Sequence, residues 1–161
     1  SVLVDTEPRV VQRCMEDGDG SRGGSWCYSK ASTVWKQGGA ANNWSHGFCI
    51  HGPAMAEEVL DRVRREAEGC DRLEGFLALH SVAGGTGSGL GSFVLQLLRD
   101  SFPSSTLASV SVWPFESGEV SIQSYNAVLS LGALYEHTDM AIVCENQRYL
   151  DVCRLTLREA N

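Results

Sequence analysis

The sequence predicts an α/β fold in which a parallel sheet carries helices on both faces. Two observations lead to this prediction. Four short apolar runs occur along the chain, and each is followed by a loop and then by a segment with helical periodicity. The most conspicuous of the loops is rich in glycine and lies between an apolar run and a helix-like segment. Such alternation implies parallel strands joined by right-handed crossovers.

The four apolar runs are the predicted strands. Val2–Val4 is short and stops at a polar loop, whereas Phe76–Leu79 is continuous and is predicted to be buried on both faces. Leu107–Trp113 alternates between two sets of side chains, as a strand does. Met140–Val143 is predicted to be another buried strand.

Helical periodicity fills most of the chain between these strands. A helix is predicted to begin at Pro53 and to end near Gly69, because its apolar residues fall on one face and its charged residues on the other. The remaining helical segments are Arg9–Met15, Ser88–Leu98, Val120–Glu136 and the chain from Asn146 onwards. Residues 16–25, EDGDGSRGGS, hold too few apolar groups to offset their ordering entropy and are predicted to form a flexible surface loop. Residues 26–47 are predicted to be irregular.

Composition places the chain among ordinary globular domains. Its 161 residues make about one domain, with 43% hydrophobic and 20% charged residues and a net charge of −7. Because no basic cluster exceeds Arg64-Arg65, we expect neither nucleic acid nor an anionic membrane as a partner. Without a long apolar run or a signal peptide, the protein is expected to be intracellular. The chain opens on SVLVDTEP, as if within a strand, and we expect it to be part of something longer.

Six cysteines are scattered without metal-ligand spacing: Cys14, Cys27, Cys49, Cys70, Cys144 and Cys153. Most lie in apolar surroundings, so they are expected to be free, buried thiols in a reducing compartment. Disulfides or a metal site are the alternatives.

The glycine-rich segment Ala83–Gly89, AGGTGSG, is the main functional signal. It follows a predicted strand and opens a predicted helix, the position at which α/β sheets bind ligands. Glycines allow close approach and positive φ, and the unpaired amides of a helix N-terminus attract anions. The segment completes neither GxGxxG nor GxxxxGK[ST], so it is neither a Rossmann dinucleotide loop nor a Walker loop. A tight structural turn is the alternative.

Five segments together resemble the tubulin superfamily. Ala83–Gly89 is similar to the tubulin signature GGGTGSG, with alanine for its first glycine. The others are VDTEP at Val4–Pro8, GGAANNWSHG at Gly38–Gly47, EVSIQSYN at Glu119–Asn126 and ENQRYLDVC at Glu145–Cys153. They occur in the family's order across nearly the whole chain. The segments WPFESGEVSIQSYN and AGGTGSGLG are most similar to the delta-tubulins within that superfamily.

The resemblance implies a Rossmann-like GTPase domain of tubulin type, with residues 1–161 forming part of the N-terminal nucleotide-binding domain. It implies that GTP or GDP is the ligand and that the glycine-rich loop holds its phosphates. The residues carried over to that role are Ser81, Ala83, Gly84, Gly85, Thr86, Gly87, Ser88 and Gly89. Alanine at position 83 requires negative φ there.

Further roles are implied for the loops after other strands. Asp5 and Glu7 match an acidic pair that faces Mg²⁺, for which hard oxygen donors are suitable; solvated loop carboxylates are the alternative. Ala40, Ala41 and Asn42 match the loop that senses the γ-phosphate, although asparagine is also an ordinary turn residue. Trp44 is interpreted as a packing anchor.

The sugar and the base are assigned in the same way. Glu119 and Gln123 match positions beside the ribose, with a neutral Gln123 where the family usually has glutamate. Asn146 matches the asparagine that reads guanine, because an amide offers both a donor and an acceptor; a helix N-cap is the alternative. His80 is interpreted as a buried, hydrogen-bonded neighbour of the site.

The function implied by the resemblance is that of a GTP-binding cytoskeletal protein of delta type. It would act in the cytoplasm at centrioles and basal bodies, in triplet microtubule formation or stability, with other tubulin subunits and centriole components as partners. Rapid GTP hydrolysis would need residues from outside this chain. The alternatives are a conventional alpha- or beta-like polymerising tubulin and, from another class, a dinucleotide-dependent oxidoreductase.

Overall fold

The computed structural model describes residues 1–18, 28–115 and 121–159. Five strands run through this part of the chain: β1 (Leu3–Asp5), β2 (Thr33–Trp35), β3 (Gly75–Ser81), β4 (Thr106–Trp113) and β5 (Met140–Glu145). The α-helices are α1 (Pro8–Gly18), α2 (Trp44–His46), α3 (Gly52–Glu68), α4 (Gly91–Ser101), α5 (Gln123–His137) and α6 (Asn146–Glu159). A short 3₁₀ helix covers Lys30–Ser32, and π-helical turns at Gly47–His51 and Thr86–Leu90 lead into α3 and α4.

The strands form two parallel sheets. β1 pairs with β2 with Val4 opposite Val34. The second sheet has the order β3-β4-β5, with Leu79 opposite Val110 and Val110 opposite Ile142. Both sheets are parallel and are flanked by helices, so the predicted α/β class is confirmed. The division into two sheets was not predicted.

One hydrophobic core connects the helices to both sheets. Val34 of β2, Val59 of α3, Leu95 of α4, Leu107 of β4 and Leu134 of α5 are among its buried members. Phe76 and Ala78 of β3 pack against it from the sheet. This core holds the strand exits, and therefore the loops that follow them, at fixed positions.

Burial of β3 and β5 differs from the prediction. The predicted burial of Phe76–Leu79 on both faces is wrong, because Leu77 and Leu79 are 58% and 72% exposed. Ile142 and Val143 of β5 are also exposed, although that strand was predicted to be buried. The reason is that the described helices cover one face of β3, and β5 lies at the edge of its sheet.

Several element boundaries also differ. The stretch predicted to be irregular contains β2 and α2, and the helix predicted from Pro53 is preceded by one continuous helical path from Trp44. The first helix is longer than predicted and includes residues 16–18, so the start of the predicted loop 16–25 is wrong. Residues 19–25 of that loop lie outside the described residues, as do residues 116–120.

The cysteines are less buried than predicted. Cys14, Cys49, Cys70 and Cys153 are exposed and Cys144 is half-buried, and all five are free thiols. Cys27 lies outside the described residues. Among the described helices, none combines the length and the apolar character needed to cross a membrane.

Candidate functional site

Three loops meet at the carboxyl ends of β1, β2 and β3. The first follows β1 and contains Asp5, Thr6 and Glu7. The second, the Gly38–Asn42 loop, follows β2, and the third is the glycine-rich loop Ala83–Gly89 after β3. The carboxyl ends of parallel strands are the place at which an α/β fold binds its ligand.

Two hydrogen bonds tie the first loop to the other two. The hydroxyl oxygens of Thr6 and Thr86 lie 2.6 Å apart, and Thr6 is fully buried. The amide of Gly39 donates to the Thr6 carbonyl at 3.2 Å. Thr6 was not predicted as a site residue. Its position within the segment VDTEP, between the two acidic residues, was the only available signal.

The Gly38–Asn42 loop has an unusual backbone. Gly38 and Gly39 have φ of 141° and 62°, and the non-glycine residues Ala41 and Asn42 have φ of 49° and 52°. Left-handed conformation at alanine costs free energy and persists only where the surroundings enforce it. One such constraint is the imidazole of the buried His51, whose Nε2 lies 2.8 Å from the Gly39 carbonyl.

The glycines of the third loop serve close packing. A Cβ on Gly85 would lie 2.6 Å from the Ala40 carbonyl oxygen, and one on Gly89 would lie 2.0 Å from the Trp44 carbonyl oxygen. A Cβ on Gly87 would meet the backbone of Ser81. The expectation of positive φ is wrong for this loop, since none of its residues has it. Negative φ at Ala83 agrees with the requirement stated for alanine there.

The predicted residues of this loop are therefore brought together, with their hydroxyls already engaged. Ser81 accepts a hydrogen bond from the Ala83 amide at 3.2 Å, which shapes the turn after β3. The fully buried Ser88 donates to the Gly84 carbonyl. Thr86 and Gly87 line a cleft of about 760 Å³ between β1 and β3, and Asp5 and Ser81 line it too.

Asn126 joins the second loop to the third. Its Nδ2 donates to the Asn42 and Ala83 carbonyls, both at 2.7 Å, and its Oδ1 accepts from the Trp44 amide at 3.0 Å. The side chain is 2% exposed. Sequence reasoning did not single out this residue, although an asparagine in the buried stripe of α5, beside Ala127 and Ser130, is a detectable signal.

The prediction for Trp44 is confirmed, and that for His80 is confirmed in its hydrogen bonds but not in its full burial. Trp44 is a packing anchor, stacked on Phe48 with ring centroids 4.5 Å apart and bonded through Nε1 to Ser92 Oγ at 3.1 Å. His80 is half-buried and lies 2.9 Å from the Gly87 carbonyl through Nδ1 and 3.0 Å from Ser109 Oγ through Nε2. Burial lowers the pKa of His80, so this imidazole is neutral at physiological pH.

Asp5 and Glu7 provide the acidic groups of the site. Burial is the largest influence on Asp5 and raises its pKa, although its Oδ1 accepts a hydrogen bond from the Glu7 amide at 2.9 Å. Among the described residues, no group of three or more His, Cys, Asp or Glu side chains could hold a metal. Carboxylate oxygens are hard donors of the class that Mg²⁺ takes together with water and phosphate oxygens.

The residues assigned to ribose and base lie further along the sheet. Gln123 begins α5 after β4 and donates to the Phe115 carbonyl at 3.2 Å, while Asn146 begins α6 directly after β5. A cavity of about 220 Å³ lies where β4 and β5 end and α6 begins, and its lining does not include Gln123 or Asn146. The residues that line it are Trp113, Pro114, Glu145, Gln147, Arg148 and Asp151. Glu119 lies outside the described residues.

Residues 1–154 match the family model for the GTPase domain of the Tubulin/FtsZ family. The chain belongs to the tubulin/FtsZ family. It is 40% identical to the tubulin delta chain of Canis lupus familiaris and 38% identical to that of Homo sapiens, each over 95% of this chain and 33% of the relative. It is also 40% identical to the tubulin beta-1 chain of Colletotrichum graminicola over 100% of this chain and 35% of that relative.

The chain thus spans about a third of the length of these tubulins. Its identity to a delta chain equals its identity to a beta chain, so overall identity leaves the subtype open. The family match and the loop geometry together weigh against the dinucleotide-dependent oxidoreductase.

Proposed function

We propose that the three interlocked loops bind the phosphates of GTP or GDP within the N-terminal nucleotide-binding domain of a tubulin-type protein. The observation that carries this proposal is the meeting of the glycine-rich loop with the loops after β1 and β2, joined through Thr86, Thr6 and Gly39. Backbone amides at the start of a helix are suited to phosphate oxygens. The Gly38–Asn42 loop supplies Ala40, Ala41 and Asn42 on the γ-phosphate side.

Asp5 and Glu7 are the proposed residues that hold Mg²⁺ beside these phosphates. A bound Mg²⁺ would neutralise phosphate charge and lower the energetic cost of ionising the half-buried Asp5. Since the described part of the chain offers two carboxylates at this point, water and phosphate oxygens complete the proposed coordination. This chain's own contribution is the placement of Asp5, fixed by the Glu7 amide.

On the other side of the site, Asn146 is proposed to read the guanine, and Gln123 and Glu119 to contact the ribose. The combined substitution Thr86→Ala and Asn146→Ala is expected to weaken GTP binding. Each lost hydrogen bond costs about 1–3 kcal/mol when a buried polar partner is left unmet. Isothermal titration calorimetry with GTP and with ATP measures both the loss and the base preference.

Thr156→Ala is the matched control, because the Thr156 hydroxyl bonds only within α6, to the Val152 carbonyl at 3.0 Å, and its side chain is exposed. GTP affinity should be unchanged in this variant. Unchanged affinity in the double variant would place the nucleotide elsewhere.

At the level of the whole protein, we propose a delta-type tubulin that acts in the cytoplasm in centriole and basal-body assembly and in triplet microtubules. Other tubulin subunits and centriole components are the proposed partners. The segments WPFESGEVSIQSYN and AGGTGSGLG support this subtype, and GTP serves here as an assembly ligand. Fluorescent tagging tests the assignment: the protein should concentrate at centrioles rather than along ordinary microtubules.

A conventional polymerising tubulin is the second candidate, favoured by the 40% identity to a beta-1 chain over the whole of this chain. Co-sedimentation with alpha/beta-tubulin separates the two proposals. Robust incorporation along the microtubule lattice would favour the conventional tubulin, and exclusion from the lattice would favour the delta type.

A further inference from the structure

We propose that Asn126 is a positioning residue that makes the proposed site discriminate GTP from GDP. It would do so by locking the Gly38–Asn42 loop against the glycine-rich loop before the ligand arrives. This inference rests on the proposed function, since it assumes that the Gly38–Asn42 loop lies on the γ-phosphate side.

The hydrogen bonds of Asn126 use its whole amide group. The two hydrogens of Nδ2 go to two different loops, one to the Asn42 carbonyl and one to the Ala83 carbonyl. Oδ1 accepts the Trp44 amide. An amide is the uncharged side chain that offers two donors and an acceptor at one point, so the arrangement requires asparagine and fixes its orientation.

The Asn42 carbonyl is the critical acceptor. Asn42 and Ala41 are held in left-handed conformation, with φ of 52° and 49°. Without an external restraint, a non-glycine residue relaxes from this region. The bond from Asn126 is such a restraint, and it acts directly on one of the two residues concerned.

Steric contact makes the two loops a single unit. A Cβ on Gly85 would lie 2.6 Å from the Ala40 carbonyl oxygen and 2.7 Å from the Ala40 Cβ. The backbones are therefore in direct contact, and Asn126 bridges them from α5. Releasing the bridge would loosen the Asn42 end of the loop, while the bonds of Gly39 to Thr6 and His51 remain. Part of the ordering would then have to occur when the γ-phosphate binds, which lowers affinity for GTP more than for GDP.

The test is the ratio of the GDP and GTP dissociation constants in the full-length protein, wild type against Asn126→Asp. An aspartate keeps the shape and the acceptor but, when ionised, loses both donors. We expect the ratio to fall by about tenfold or more, within the range for lost buried hydrogen bonds. The ratio should recover in part as pH falls, because protonation of the introduced carboxyl restores one donor.

Ser92→Ala is the matched control. Ser92 is fully buried, accepts from the Trp44 indole and donates to the Ser88 carbonyl at 2.6 Å. Its loss therefore disturbs the packing of α2 on α4 while the Asn126 bonds to the Asn42 and Ala83 carbonyls remain. It should lower the melting temperature and leave the ratio unchanged. If Asn126→Asp does not fold, Asn126→Ser decides, because its hydroxyl serves one carbonyl at a time and should give an intermediate ratio.

Each outcome separates the two proposals. Wild-type protein that binds no guanine nucleotide overturns the proposed function and this inference with it. Wild-type protein that binds GTP and GDP equally overturns the inference alone. A wild-type ratio retained in the folded Asn126 variant, or a ratio lost equally in Ser92→Ala, also overturns the inference alone.

Discussion

In the β3-β4-β5 sheet, the amino ends of the strands are joined by a charged side chain and the carboxyl end of β3 is joined to its neighbours by an uncharged one. At the amino ends of β4 and β5, the Asp139 carboxylate accepts from the Leu107 amide at 2.8 Å and from Arg99 Nη2 at 2.7 Å. Arg99 also donates to the His137 carbonyl at 3.0 Å. At the carboxyl end of β3, the corresponding joint is the buried, uncharged amide of Asn126.

The comparison shows that the energetically unfavourable backbone conformations and the destabilised carboxylate lie near the Asn126 joint and not near Asp139. The Asp139 joint is ionic and fully satisfied, and it lowers the pKa of Asp139 through the Leu107 amide first and Arg99 second. Near the Asn126 joint, the carboxyl ends of β1 and β2 lead to the carboxylate of Asp5, whose pKa is raised by burial, and to left-handed Ala41 and Asn42. Such features gather where a ligand will use them.

The largest expected effect comes from forcing the glycine-rich loop away from α2. Gly89→Ala places a methyl 2.0 Å from the Trp44 carbonyl oxygen. Because the contacted atoms belong to the backbone, no change of side-chain rotamer can relieve the clash. We expect a loss of about 1–3 kcal/mol of stability or more, as in other overpacked sites. Thermal or denaturant unfolding measures it.

Gly132→Ala is the control for that prediction. Gly132 lies in α5, and a Cβ added there would meet nothing within 4 Å, so alanine should stabilise the helix by up to about 1 kcal/mol. If both alanine variants changed stability in the same direction, close packing of the glycine-rich loop would be refuted.

A moderate effect is expected at the opposite end. Asp139→Asn removes the charge that Arg99 contacts and should lower the denaturant midpoint at neutral pH without changing nucleotide affinity. The folded-state pKa of Asp139 is lowered, so its contribution is present above the ordinary aspartate pKa and is lost as pH falls through the folded value. The wild-type and variant midpoints should therefore converge in acid, and a gap independent of pH would contradict the ionic account.

The smallest expected effect is a gain in stability from a substitution at Asp5, at the carboxyl end of β1. Because burial raises the pKa of Asp5, its ionised form disfavours the folded state above that pKa, and the penalty disappears as pH falls through it. Asp5→Asn should therefore raise the melting temperature slightly at neutral pH without ligand, and remove the stabilisation given by Mg²⁺ with GTP. A lower melting temperature in the ligand-free variant would show that Asp5 is a structural residue.

The fold class was predictable because the segments that form β3, β4 and β5 are short apolar runs, each followed by a loop and a helix-like segment. β2 was missed because Thr33–Trp35 is only three residues long and lies among glycine and asparagine. The exposure of Leu77 and Leu79 was not predictable from the sequence. A continuous apolar run indicates side chains that are suited to burial, but it does not indicate which element covers each face of the strand.

The site was predicted in part. The motif residues of the three loops come together because one hydrophobic core holds both sheets and hydrogen bonds join their loops. The contacts between the loops were not predictable, since Thr6, His51 and Asn126 depend on tertiary distances that no local motif encodes. The same holds for the glycines, which are needed for close approach to a neighbouring loop instead of for positive φ.

The most direct test is to identify by mass, and to count per chain, the nucleotide that copurifies with the full-length protein. The proposed site predicts one guanine nucleotide per chain in the wild type and a marked loss in the variant that combines Thr86→Ala with Asn146→Ala. An adenine or nicotinamide nucleotide in its place, or full guanine occupancy in that variant, would contradict it.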